Sequence, residues 1–266
     1  MILPSAWQYL QHLGAHHRLW LSLSISSFSF ANFIFSPIYG QFADKFSTKQ
    51  ILLLSNCFEM AGNLLYLLAD DVYSNIEARF IAGMGAAAGS VIFAWIGRTA
   101  GSMHELNEDM GLVMTCRGIG LIVGPAFNFL LIEIDVHIGS FHLTNLNSPG
   151  LLMLIIWLLA QGVVYFFFVD PPPLDTPAIK GLKGAEEDKP AVPAEDKPKI
   201  SDFLSLGVVA LLLVQFINMF NQTAYETFVT PFTQDVFDFS QLANSIIYMI
   251  SAVVAISVYK VLTLAQ

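Results

Sequence analysis

Apolar runs of about 20 residues recur along this chain with short polar connections between them, and nothing else in the sequence narrows its fold as much. A helix rises 1.5 Å per residue, so each run is about the length needed to cross a ~30 Å hydrocarbon layer. Composition agrees: 55% of the 266 residues are hydrophobic and 12% are charged, where soluble domains carry about 25% charged residues. Hydropathy windows place spans at 19–39, 51–69, 76–100, 110–132, 149–169, 203–229 and 242–264. The opening "MILPSAWQYLQHL" is apolar but only about 13 residues long, too short to cross, and reads as the closing part of a first helix.

The expected fold is therefore an all-α, multi-pass membrane protein with seven full spans and part of an eighth. One connection is long. Residues 170–202 are rich in Pro, Lys, Glu and Asp with few large apolar side chains, a composition that cannot bury enough surface to fold and predicts a disordered linker. It separates a first part, 1–169, from a second, 203–266.

The formal net charge is −9, but acids and bases are segregated among the connections. If the linker is cytoplasmic, alternation puts Lys45, Lys49, Arg98, Lys180, Lys183, Lys189, Lys197, Lys199 and Lys260 on that side. The other side keeps Arg18 and Arg79 with Asp70, Asp71, Glu133, Asp135, Asp235 and Asp238. That asymmetry predicts the orientation. Cys57 and Cys116 lie inside spans, where a thiol acts as a small hydrophobe, and no disulfide framework, metal-ligand spacing or signal-peptide pattern is present. Nothing points to nucleic acid, to a cofactor or to a nucleophile-base constellation, so an enzyme is not expected.

Three segments carry a resemblance. "GQFADKFSTK", from Gly40, sits between two spans with Asp44, Lys45 and Lys49 in a turn of about ten residues at the linker side. "RFIAGMGAAAG" places Arg79 at the outer end of a span and then small residues at Gly83, Gly85 and Gly89, which let helices approach closely. "GIGLIVGPAF" supplies Gly120, Gly124 and Pro125. In this order and in these spans they resemble the second-to-third-helix loop, the fourth helix and the fifth helix of the major facilitator superfamily. Thr48 and Lys49 stand where the family's loop ends in glycine and arginine. The linker also falls where that superfamily joins its two six-helix halves. The stretches "AYETFVTPFTQDVFDFSQ", "SPIYGQFAD" and "SPGLLMLIIWLL" are similar to the superfamily's lysosomal branch.

The resemblance implies a partial twelve-helix transporter fold and a small-molecule or ion substrate moved by alternating access, in a lysosomal or endosomal membrane. A channel-like chloride conductor and a non-transporting fragment are the rival readings. The chain is expected to lack the start of its first helix and the last four helices; its oligomeric state stays open, and membrane lipid is its other contact.

Ionisable groups inside spans cost about 2.5–3.5 kcal/mol each to insert, so Glu59, Arg79, Arg117 and Glu226 are the candidates for function. By the resemblance, the fourth and seventh helices line the central cavity, which pairs Arg79 with Glu226. Arg79 would attract an anion or oppose an acid, or else snorkel to the interface. Glu226 would take a proton or a cation, or else hydrogen-bond a neighbouring helix. Asn218 and Gln222 extend a polar band beside it. Arg117 needs a carboxylate or a wet cavity. Glu59, on a peripheral helix by the resemblance, is expected to be a neutral side chain buried against its neighbour.

Overall fold

The computed structural model of the chain describes residues 3–43, 45–131, 133–138, 141–170 and 206–264. The elements run α1 (Leu3–His12), α2 (Leu19–Ala43), α3 (Thr48–Leu67), α4 (Val72–Ala86), α5 (Gly89–Thr99), α6 (Met103–Leu131), β1 (Asp135–Ile138), β2 (Phe141–Thr144), α7 (Ser148–Phe167), α8 (Leu206–Phe237) and α9 (Gln241–Leu264). Most described residues of each expected span are helical. Four stretches, Leu19–Ala43, Val72–Thr99, Ser148–Phe167 and Leu206–Phe237, are long and apolar enough to cross a membrane by length and composition alone.

The boundaries follow local chemistry. Ser47 caps α3 by accepting from the Gln50 N–H while Gln50 reaches back, closing a capping box. Asp71 caps α4 through the Ser74 N–H. Two expectations need correction. Helix α2 continues past Gly40 to Ala43, so the turn into α3 shrinks from about ten residues to 44–47; the polar residue Gln41 is exposed on the last helical turn and gives no reason to stop. Helix α6 begins at Met103, ahead of the apolar run, because its polar first turns are still helical. The connection after it folds back as the antiparallel β1–β2 hairpin, the one pair of strands among the described residues.

Contacts divide the chain into two units, Met1–Pro171 with Thr230–Gln266, and Pro172–Val229. In the first, α4 packs on α2 and α3, α3 also on α7, and α6 on α9. Its buried positions mix small and polar residues with large apolar ones. One cluster joins Tyr39, Ala43, Ile51, Leu52, Ala87, Ala88 and Val91, and a second joins Ala6, Trp7, Leu10, Ala15, Leu21 and Val72. Large apolar side chains such as Phe30, Phe33, Leu159 and Phe166 point outward, as expected where the surrounding solvent is hydrocarbon. Between α4 and α5 the helix tightens through Ala87 and Ala88, where the Ala88 N–H bonds the Gly85 carbonyl at 3.2 Å. Towards the C-terminus, Thr233 Oγ1 donates to Asn244 Oδ1 at 2.5 Å and Thr230 meets the Tyr248 hydroxyl at 3.1 Å, joining α8 to α9. In the second unit the described residues are the first part of α8, whose described side chains are exposed or half-buried. The expected linker lies outside the described residues beyond Asp170.

Candidate translocation site

The site is built on the contact of α4 with its two neighbours. A Cβ added at Gly83 would lie 2.3 Å from the Phe28 carbonyl oxygen on α2. One at Gly85 would lie 2.6 Å from both Glu59 Cγ and the Ser55 carbonyl on α3, and one at Gly62 would meet the Ala82 nitrogen at 2.5 Å. Absent side chains thus let three helix backbones come close together. Around Gly89 and Gly120, from the same sequence signatures, no atom of the described residues lies within 4 Å of an added Cβ.

Arg79 is one turn before Gly83 on α4. Its guanidinium sits over the Phe28 ring, 4.4 Å from the centroid, a cation–π contact of about 0.5–2 kcal/mol depending on desolvation. Arg79 is half-buried and makes no ion pair among the described residues. Glu59 is 6% exposed. Around them runs a polar seam. Ser24 Oγ donates to Asn75 Oδ1 at 3.0 Å, with both residues buried, and Ser27 Oγ donates to the Ile76 carbonyl at 3.1 Å. Asn63 Nδ2 donates to the Glu59 carbonyl at 2.8 Å, and the Tyr9 hydroxyl donates to the Tyr66 carbonyl at 2.8 Å. A half-buried cation on a helix that also packs against a buried glutamic acid side chain and several hydroxyl and amide groups can hold a negatively charged solute.

The other expected residues are distributed as follows. Asn218 is exposed on α8; Gln222 and Glu226 lie on α8 with side chains outside the described residues, so the expected Arg79–Glu226 pair is also outside them. Arg117 is exposed on α6 and makes no ion pair among the described residues. Gly124 and Pro125 lie in the second half of α6. Gly40 is within α2, Asp44 is outside the described residues, and Lys45 is exposed. Lys49 opens α3: its N–H donates to Asp170 Oδ1 at 2.8 Å, and its Nζ lies 5.6 Å from the Tyr165 ring centroid. At the same end Arg98 donates to the Ala43 carbonyl at 3.1 Å, satisfying the C-terminus of α2.

Sequence reasoning missed the neighbourhood of Glu59 and Arg79. Helical spacing supplied a signal, because Ser55, Glu59 and Gly62 share the face of α3 that meets α4. It also missed the ion pair of Arg18, ahead of α2, with Asp235 near the end of α8, which unlike charges on the same predicted side of the membrane could have suggested.

Four helical stretches long and apolar enough to cross a membrane, with a charged residue held where small residues bring helices together, mark a multi-pass membrane protein. The chain belongs to the Major Facilitator Superfamily, whose family profile matches residues 1–264, and it is an integral membrane protein of that transporter family. It is similar to major facilitator superfamily domain-containing protein 8 of Xenopus laevis, 21% identical over 248 residues, covering 89% of this chain and 48% of that protein. It is also similar to the class D tetracycline resistance protein of Salmonella ordonez, 26% identical over 216 residues, 81% of this chain and 48% of the relative. A third relative is the efflux pump dotC of Dothistroma septosporum, 29% identical over 160 residues, 59% of this chain and 25% of the pump. The chain spans about half the length, or less, of these relatives.

Proposed function

We propose that the protein is a secondary transporter of a small, negatively charged solute, working by alternating access with Arg79 as the group that attracts the solute. The observation that carries this reading is the Arg79 guanidinium, half-buried over Phe28 without an ion-pair partner among the described residues. A cation held in a membrane helix against the cost of insertion needs a compensating role, and an anion arriving in the site supplies the missing charge. The contacts of α6 with α9 and of Arg18 with Asp235 join the first six spans to the end of α8 and to α9, as a rocking mechanism requires of helices that meet and part. Resemblance to the lysosomal branch, together with similarity to the Xenopus protein, supports an endolysosomal membrane as the location.

The test is uptake into proteoliposomes with an imposed pH gradient, using a panel of labelled organic anions with chloride as comparator. Saturable uptake of at least one anion, lowered at least tenfold in Arg79→Ala and partly restored in Arg79→Lys, is the expected result. Uptake unaffected by Arg79→Ala, or a current reversing at the chloride equilibrium potential with no saturable flux, would overturn the reading.

A further inference from the structure

The hairpin between α6 and α7 brings together three metal-ligating side chains that the transport reading does not use. In the antiparallel pairing, His137 lies opposite His142 and Asp135 opposite Thr144. Side chains alternate between faces along a strand, so Asp135 and His137, two residues apart, share one face, and His142 joins them there as a cross-strand neighbour. Leu143, the next residue, turns to the other face and is buried. The imidazoles of His137 and His142 stack with centroids 3.9 Å apart and planes within 10°. His142 Nε2 lies 2.5 Å from Asp135 Oδ1. One ligand atom from each of the three residues lies within 4.8 Å of the other two.

The backbone beneath this cluster is fixed. Asn147, 8% exposed, donates from Nδ2 to the His142 carbonyl at 3.0 Å and accepts the Thr144 N–H on Oδ1 at 2.8 Å. Beside it lies a cavity of about 500 Å³ whose lining includes His12, Asp70, His142, Thr144 and Asn147. That polar space gives water access to one side of His142.

We propose that Asp135, His137 and His142 bind a borderline divalent transition metal of the zinc type, with water completing the coordination. Two imidazoles and a carboxylate suit zinc and its first-row neighbours, whereas magnesium and calcium select oxygen ligands. Zinc–nitrogen distances of about 2.0–2.1 Å set tetrahedral ligand atoms ~3.3 Å apart. All three side chains are exposed, so rotation about their own bonds closes the gap without moving the hairpin. The metal would cross-link β1 to β2 and stiffen the connection that aims α7.

The experiment is a zinc titration of the purified protein, carrying an affinity tag without histidine, in competition with a fluorescent zinc chelator. One tight equivalent is expected, with affinity falling at least tenfold in Asp135→Asn and His142→Asn, while excess magnesium does not compete. The paired substitution His16→Asn, His17→Asn should leave the affinity unchanged. X-ray absorption at the zinc edge should count two imidazoles. No zinc uptake by the unaltered protein, uptake indifferent to the His137→Asn, His142→Asn double substitution, or an affinity that follows His16 and His17 would each overturn the proposal.

Discussion

The glycines of α4 and those of α5 and α6 come from similar-looking small-residue signatures, yet they meet different surroundings. Gly83 and Gly85 stand against backbone or side-chain atoms closer than a Cβ can approach, whereas Gly89 and Gly120 meet no neighbour among the described residues. A stripe of small residues thus shows where a helix is able to come close. Whether it does so depends on a matching partner, and α4 has two: Phe28 with Ala31 on α2, and Ser55 with Glu59 on α3.

Substitution of these positions gives the largest expected contrast. Gly83→Ala and Gly85→Ala put a methyl group where rigid backbone already is, and overpacking of this kind costs about 1–3 kcal/mol or more. Both should lower the thermal midpoint in detergent clearly. Gly89→Ala and Gly120→Ala should be neutral or raise it, since alanine is favoured over glycine in a helix by up to about 1 kcal/mol. Equal effects at all four positions would erase the distinction.

The polar seam beside α4 is the next test. Asn75 is 2% exposed and accepts from Ser24; leaving a buried polar partner unsatisfied costs about 1–3 kcal/mol. Ser24→Ala should therefore destabilise more than Thr115→Ala, which loses only a bond to its own helix on an exposed face. A similar loss for both, measured by denaturation in one detergent, would mean that the α2–α4 bond contributes nothing of its own. Arg98→Ala should come below Ser24→Ala on the same scale, exposing the end of α2 at Ala43.

The smallest effect is the pH dependence of the α4 cap. The Ser74 hydroxyl, then its backbone N–H, hold the Asp71 carboxyl below the usual carboxylate range. Because the folded-state value is depressed, this contribution is complete above the unfolded value of about 3.9 and is lost as pH falls through the folded one. Asp71→Asn should lower the thermal midpoint equally at pH 7 and pH 5, and its difference from the unaltered protein should shrink towards pH 3. A difference that disappears by pH 5 would contradict the direction of the shift.

The sequence made the spans legible because a hydropathy run is a local property: the windows at 19–39 and 149–169 lie on α2 and α7. It made the ends less legible, since Gln41 and the polar first turns of α6 remain helical without being apolar. Tertiary neighbours were the least legible. The position of its helix suggests a peripheral Glu59, and only the packing of α3 on α4 sets it against Gly85, on the helix that carries Arg79. The Asp135, His137, His142 cluster has no recognisable spacing along the chain, because it exists only once β1 and β2 pair in this register.

If α4 presents Arg79 to water in a transport path, as proposed, a cysteine at that position is open to a water-borne reagent. Cys57 and Cys116 are the chain's two cysteines; with both replaced by alanine, Arg79→Cys can be treated with a membrane-impermeant thiol reagent in sealed vesicles. Modification is expected at a rate that changes when an anion gradient is imposed, while Tyr73→Cys, at an exposed position on the first turn of α4, reacts at a constant rate. Reaction at Tyr73→Cys with none at Arg79→Cys, with or without the gradient, would contradict it.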